Sequence, residues 1–274
     1  LPDGSRVTVS QSGDKVTVQA GRSRFSLASL PANDFPSIDE FEATERVSVP
    51  EAGLKELIER TAFAMAQQDI RYYLNGMLLV VDGTTVRAVA TDGHRLALCE
   101  VAKDADADRA AGSKIEAIIP RKTIMELAPL LPDTEDAVRV QMAPTQVKFS
   151  FGDIELISKL VEGKFPDYQR VVPAANTKSF VIGREDLMHA LQRAAILTTD
   201  KFKGVRLVLA PASLKINSTN ADQEDAQEEL EIDYTGDGLD IGFNVNYLLD
   251  VLLNVKGEQL KFSLGDALGS ALMT

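Results

Sequence analysis

Two histidines, one cysteine and the absence of any cluster around them limit the chemistry this chain could do. His94 and His189 have no Cys or carboxylate grouping at metal-ligand spacing, and no G-x-S-x-G elbow or phosphate loop occurs. Gly236-Asp237-Gly238 misses the dinucleotide fingerprint and reads as a hairpin turn leading into a strand. Cys99 alternates with Leu98 in a strand pattern, which favours a small core hydrophobe over a nucleophile. His189 falls on the outer face of a helix. The expectation is no catalytic residue, no metal and no cofactor.

Three stretches carry more. Thr91-Asp92-Gly93-His94-Arg95-Leu96 reads, by itself, as a tight turn with solvated polar residues. The alternative is a pocket rim, with Leu74 and Leu96 as apolar wall and His94 and Arg95 as polar markers. In Gln67–Met77, the adjacent Tyr72 and Tyr73 beside Arg71 either stack on unpaired bases or serve the fold at a helix–strand junction. The acidic run Asp222–Glu231 reads as a solvated loop. Its sign is opposite to that of Arg22 and Arg24, which permits a charge-matched contact between subunits.

Composition bounds the partners. With 29 basic against 41 acidic residues the net charge is −12, so any nucleic-acid contact must come from a local positive face on an acidic body. At 45% apolar content, 274 residues can bury two or more ordinary cores. A single cysteine suits a reducing, cytoplasmic setting. No apolar run approaches a membrane span, and no signal peptide is visible.

The elements that must position these residues recur. Gln146–Asp153 (QVKFSFGD) returns almost letter for letter at Gln259–Asp266 (QLKFSLGD), and more loosely at Lys15–Arg22 (KVTVQAGR). The interval is the size of a domain, so the chain reads as a tandem domain repeat. Leu54–Asp69 matches Leu187–Asp200 with Arg60 and Arg193 in register. Gly76 answers Gly204, Thr91-Asp92 answers Thr219-Asn220, and Pro120–Lys122 answers Asn244–Asn246.

Each unit reads as two short amphipathic helices on antiparallel sheets, an α+β class. Leu54, Leu57, Ile58, Thr61, Ala62 and Met65 make one helical stripe, and Pro50 suits its first turn. Asp82-Gly83 and Asp92-Gly93 separate three strands, and Asp104–Gly112 reads as a polar loop. A second helix begins near Arg121 with Ile124, Leu127 and Leu131 on one face, and Pro129 weakens its end. The helix Arg184–Leu197 and strands Glu229–Tyr234 and Leu239–Phe243 belong to the next repeat.

The strings RYYLNGM, ATDGHRLA, IPRK, SKLVEGKFPDY, RAAILT, KFKGVRL and IGFNVNYLLDVL give the chain a specific resemblance. Along its whole length it resembles the bacterial sliding clamps, the beta subunits of DNA polymerase III. The resemblance implies the DNA clamp fold, with residues 1–44 as the end of a first clamp domain, 45–167 as a second and 168–274 as most of a third. On this reading the chain is a fragment lacking most of the first domain and a C-terminal tail that closes a groove. The implied function is a non-catalytic homodimeric ring around duplex DNA, indifferent to sequence.

The resemblance also assigns sites. Arg121 and Lys122 are expected to face DNA, with Gln68, Tyr72 and Tyr73 touching it at the ring's edge. Lys201 and Lys203 are added on charge alone. A groove between the second and third domains would take linear motifs from the polymerase III alpha subunit, the clamp loader delta subunit, other polymerases, mismatch-repair proteins and ligase. Its walls would be Leu74, Thr91, Gly93, His94, Arg95 and Leu96, then Pro166, Arg170 and Val171, then Asn244 and Tyr247, with Leu268 and Ser270. At the dimer contact Phe25 and Leu27 would pack on Ile196 and Leu197 of the other subunit, while Arg22 and Arg24 face Asp225 and Glu228. Two other readings stay open: a clamp-like adaptor that binds proteins without encircling DNA, and an enzyme, against which the missing catalytic constellation speaks.

Overall fold

A computed structural model describes residues 3–35, 41–102, 114–199 and 202–274. The polar loop read at Asp104–Gly112, and Lys201, lie outside the described residues. Two compact units emerge, residues 1–42 and residues 43–274. In the smaller, β1 (Thr8–Ser12), β2 (Lys15–Ala20) and β3 (Ser23–Ala28) form an antiparallel sheet in that order. Two-residue turns open on Gly13 and Gly21, whose φ of +61° and +57° a side chain rarely adopts.

The larger unit runs twice through one plan. Its first half contains β4 (Glu45–Pro50), α1 (Glu51–Thr61), β5 (Gly76–Asp82), β6 (Thr85–Thr91), β7 (Leu96–Ala102), β8 (Ile115–Pro120), α2 (Arg121–Leu127), β9 (Ala137–Met142), β10 (Gln146–Phe151) and β11 (Ile154–Lys159). The second half contains β12 (Lys178–Gly183), α3 (Arg184–Ala195), β13 (Gly204–Ala210), β14 (Ser213–Thr219), β15 (Asp225–Glu231), β16 (Leu239–Asn244), α4 (Val245–Asn254), β17 (Gln259–Leu264) and β18 (Leu272–Met273). One sheet of the first half has the order β7-β6-β5-β8, and its counterpart has β15-β14-β13-β16. The other sheets of the larger unit are β11-β10-β9-β4 and β12-β17-β18. The α+β class and the tandem repeat follow directly.

The expected equivalences of Gly76 with Gly204 and of Pro120 with Asn244 hold to the residue, since Gly76 pairs with Pro120 and Gly204 with Asn244. The motif that first suggested the repeat aligns differently. QLKFSLGD forms β17, which follows α4 and pairs with β12. The strand in that position of the first half is β9, which follows α2 and pairs with β4. QVKFSFGD is β10, one strand further on. Any strand with one buried face alternates in this way, so local similarity registers the wrong strand and pairing corrects it. The glycines report the same offset: Gly21 and Gly152 have φ of +57° and +49°, whereas Gly265 is not left-handed. A Cβ on Gly265 would instead lie 2.9 Å from Asn176 Oδ1, so a side chain there would have to shift the Asn176 amide.

Four other expectations need correction. The acidic run is an edge strand: Asp225–Glu231 form β15, pairing along β14 from Ser213↔Glu231 to Thr219↔Asp225. Asp225, Gln227, Glu229 and Glu231 take the solvent-facing positions, and such polar residues imitate loop composition. The strand expected at Glu229–Tyr234 accordingly ends at Glu231. The Gly236–Gly238 segment is no hairpin turn, because β15 and β16 lie on opposite edges of their sheet. Pro50 precedes α1 as its N-cap residue instead of occupying the first turn, and Pro120 does the same for α2.

Each half buries its own core. Leu54, Leu57, Ile58, Ile124 and Leu127 drop onto strands bearing Val49, Leu79, Val140 and Phe149. Leu187, Leu191, Leu248 and Leu252 do the same over Leu207, Ile216 and Phe262. Cys99 belongs to the first core as expected. Thr61 ends α1 by donating its hydroxyl to Leu57 O at 2.6 Å. A third, smaller cluster joins Leu74, Leu78, Val80, Val89 and Ile118 to Phe165 and Tyr168, so the segment after β11 covers the opposite face of β5, β6 and β8.

Candidate functional site: the seam between the two halves

The β6–β7 turn is rigid because its own polar groups hold it. Asp92 Oδ1 accepts from the backbone N–H of His94 at 2.9 Å and of Arg95 at 3.0 Å. The Thr91 hydroxyl donates to Arg95 O at 2.7 Å and accepts from Gly93 N–H at 3.1 Å. This explains why Thr91 is buried. Gly93, at φ +89°, lies under the Arg71 guanidinium, which would stand 2.9 Å from a Cβ there. Arg71 also donates to Asp92 O at 3.2 Å and makes a two-pronged contact with Asp69 at 3.0 and 2.8 Å. Hydrogen bonds from Arg71, to the carboxylate from both side chain and backbone, hold the Asp69 carboxyl down at about 2.

Presented this way, His94 and Arg95 meet helix α4. The His94 ring stacks on Tyr247, centroids 6.1 Å apart and planes 25° from parallel. The Arg95 guanidinium carbon sits 4.7 Å from the Tyr247 ring centre and 5.3 Å from that of Phe63. Its nitrogens donate to Asp92 at 3.2 Å, to Phe63 O at 2.9 Å and to Asp250 of α4. Asn244 caps that helix, its Oδ1 accepting from Asn246 N–H at 3.0 Å. The tight-turn reading of residues 91–96 therefore describes the backbone, while its side chains wall a seam.

The other expected groove residues divide by exposure. Leu74 and half-buried Leu96 belong to the apolar cluster with Phe165 and Tyr168. Leu74 is only 2% exposed, so it supports the wall from beneath. Pro166, Arg170 and Val171 are exposed beyond it, with Arg170 Nε 2.9 Å from Asp167. Leu268 is fully exposed on a turn in which Asp266 Oδ1 accepts its N–H at 3.0 Å, and the exposed Ser270 gives its carbonyl to Asn176 at 3.0 Å. Sequence reading missed Asp250, Phe63 and Tyr168, whose partners are remote in the chain. A hollow of about 760 Å³ lies elsewhere, between β12, the start of α3 and the end of β15, and none of the expected site residues lines it.

Of the expected DNA-facing residues, Gln68, Tyr72 and Lys122 are exposed, and Tyr73 is half-buried with its ring edge-on to Tyr72 at 5.9 Å. Arg121 is half-buried and donates to Ala62 O at 3.3 Å and Met65 O at 3.4 Å, so it caps the end of the α1 segment. Lys203 is half-buried. Of the expected dimer residues, Arg22, Phe25 and Leu27 are exposed, as is Arg24 on β3; Ile196 and Asp225 are exposed too. Leu197 is half-buried, and Glu228 is held by Arg193 of its own chain. Among the described residues, no group of three or more His, Cys, Asp or Glu could hold a metal ion, and no helix is long and apolar enough to cross a membrane.

Comparison with known proteins decides the family. The central-domain family of the DNA polymerase III beta subunit matches residues 48–167, its C-terminal-domain family residues 169–274, and its N-terminal-domain family residues 1–39. The chain belongs to the bacterial beta sliding clamp family. A beta sliding clamp from Pseudomonas putida is 47% identical over 273 residues, covering 100% of this chain and 73% of the relative. The crystal structure of the DNA polymerase III subunit beta from Pseudomonas aeruginosa superposes with a TM-score of 0.89 at 46% identity, across 100% of this chain and 74% of that one. A sliding clamp from the same organism, solved bound to griselimycin, gives a TM-score of 0.87 at 46% identity, with 100% and 73% covered. Within that family, the seam is this chain's junction between central and C-terminal domain matches.

Proposed function

We propose that this chain acts as a subunit of a homodimeric ring that encircles duplex DNA and tethers replication and repair proteins through the seam. Membership of the family makes it a DNA sliding clamp, a non-catalytic processivity factor of DNA polymerase III. Retention by topology needs no tight grip on phosphates, which accords with a net charge of −12. The exposed Lys122, Tyr72 and Gln68, with Tyr73 and Arg121, are the proposed DNA-facing set. Domain boundaries near residues 44 and 167 complete the reading.

The observation that carries the tethering half is the stack of His94 on Tyr247 beside the Leu74–Phe165–Tyr168 cluster. An aromatic wall next to an apolar floor, rimmed by Arg95 and Arg170, suits apolar anchors of a short extended peptide. The proposed occupants are linear motifs of the polymerase III alpha subunit, the clamp loader delta subunit, other polymerases, mismatch-repair proteins and ligase.

The test is titration of a labelled Gln-Leu-x-Leu-Phe peptide against the chain and against Tyr247→Asp. Tyr247 is half-buried on a helix surface, so the variant keeps its fold and is expected to lose binding. Undiminished binding by Tyr247→Asp removes the groove from the seam. Leu74→Asp cannot serve the same purpose, because a carboxylate placed at a 2% exposed position damages the fold. For the ring, loading of the complete subunit onto closed circular DNA, with release on linearisation, separates a clamp from an adaptor.

A further inference from the structure

Between the halves of the larger unit, one arginine makes contacts on both sides of the seam. Arg95 stems from the β6–β7 turn of the first half, where Asp92 and Phe63 O accept two of its hydrogen bonds and the Phe63 ring takes one face. The second half supplies the Tyr247 ring and the Asp250 carboxylate. Tyr247 and Asp250 are three residues apart on α4, so both point the same way. The carboxylate therefore draws the guanidinium plane onto the very ring that His94 stacks against. The Arg95 side chain is 17% exposed and that of Asp250 39%, so the arginine end of the contact is held in the seam while the carboxylate stays partly in solvent. Another ion pair across the seam, Lys256 Nζ to Glu56 Oε1, is longer at 3.7 Å and its lysine is 64% exposed.

We propose that Asp250 is a positioning residue: through Arg95 it fixes the angle between the two halves and thereby sets the Tyr247 wall of the groove. This rests on the groove reading above and adds to it the device that shapes the site. Arg95 is anchored by three contacts within its own half, so its position there is fixed in advance. Among the described residues, Asp250 is the one group of α4 that accepts a hydrogen bond from Arg95. Without it the Tyr247 ring keeps its contacts with Arg95 and His94, and the ion pair left across the seam is the longer, more exposed Lys256–Glu56 contact.

Spin labels at the exposed positions Glu135→Cys and Gln192→Cys, in a Cys99→Ala background, measure the distance between the halves, and the peptide titration measures the groove. Asp250→Asn is expected to broaden the distance distribution and weaken the peptide roughly tenfold, with the melting temperature unchanged. Asp250→Glu, which keeps the charge, is expected to restore both. An unchanged distance distribution in Asp250→Asn overturns the proposal, and so does a broadened one with unchanged peptide affinity. Failure of the Asp250→Glu rescue overturns it as well. If the parent chain binds no peptide, the groove reading falls, while the distance measurement still decides whether Asp250 ties the halves.

Discussion

Glu228 on the edge strand β15 is gripped by Arg193 of helix α3, Nε to Oε1 at 2.9 Å and Nη2 to Oε2 at 2.6 Å. The contact lies within one chain, although the family resemblance has Glu228 facing Arg22 and Arg24 of another subunit. An intersubunit arginine would share these oxygens with Arg193, since a carboxylate can accept from more than one donor. The pair holds the Glu228 carboxyl below its ordinary value, chiefly through the Arg193 hydrogen bonds. A depressed folded value means that the contribution to stability is present above the ordinary glutamate range and is lost as pH falls through the lower folded value. Arg193→Gln is expected to return the Glu228 midpoint upward in a carbon-detected carboxyl titration. No movement would show that the pair does not persist in solution.

Asp69 makes a sharper case. Its carboxyl, normally near 3.8, is held at about 2 by hydrogen bonds from Arg71. Its contribution is fully present above about 3.8 and lost as pH falls through about 2. Replacing Arg71 by Ala should move the Asp69 midpoint back towards 3.8. Gly93→Ala is expected to raise it as well, because the new methyl stands 2.9 Å from the Arg71 guanidinium and displaces it. A midpoint that stays near 2 in both variants would mean another group holds the carboxylate.

Phe149 and Phe262 are each wholly buried, one in each core of the larger unit. Truncation of either to Ala removes ring contacts and leaves a cavity costing about 3–5 kcal/mol. Because the two cores share no contacts between these rings, the losses should add within about 0.5 kcal/mol in the double variant. Denaturant unfolding followed by circular dichroism measures all three. A loss below about 1 kcal/mol at either site would contradict the packing described.

Gly76 and Gly204 are equivalent in the repeat but not in their demands. A Cβ on Gly76 would come 2.5 Å from Ile119 O and 3.0 Å from a methyl of Ile118, whereas one on Gly204 meets nothing within 4 Å. Gly76→Ala is expected to destabilise by about 1–3 kcal/mol through forced separation of β5 and β8. Gly204→Ala should stay within about 0.5 kcal/mol of the parent. Equal effects in a side-by-side thermal melt would refute the asymmetry.

Much of this protein was legible before its structure. Helical stripes such as Leu54, Leu57 and Ile58 faced a core because the 3.6-residue period leaves no other face apolar. The repeat was visible through Gly76 and Gly204, fixed by strand starts, and through Arg60 and Arg193, fixed by helix register. The residues of the seam were named from a resemblance, and Thr91 to Leu96 do form its turn. What the chain alone could not say is which strand pairs with which. QLKFSLGD looks like β10 and occupies the place of β9, because alternation records a buried face and not a neighbour. The acidic edge strand hid for the same reason. Nor could it say that Arg95 reaches Asp250, 155 residues away, since any carboxylate can meet any guanidinium until folding brings two together. Local periodicity determined the elements and their faces; the tertiary structure alone decided their partners, because pairing and ion contacts depend on distance through space and leave no trace in sequence order.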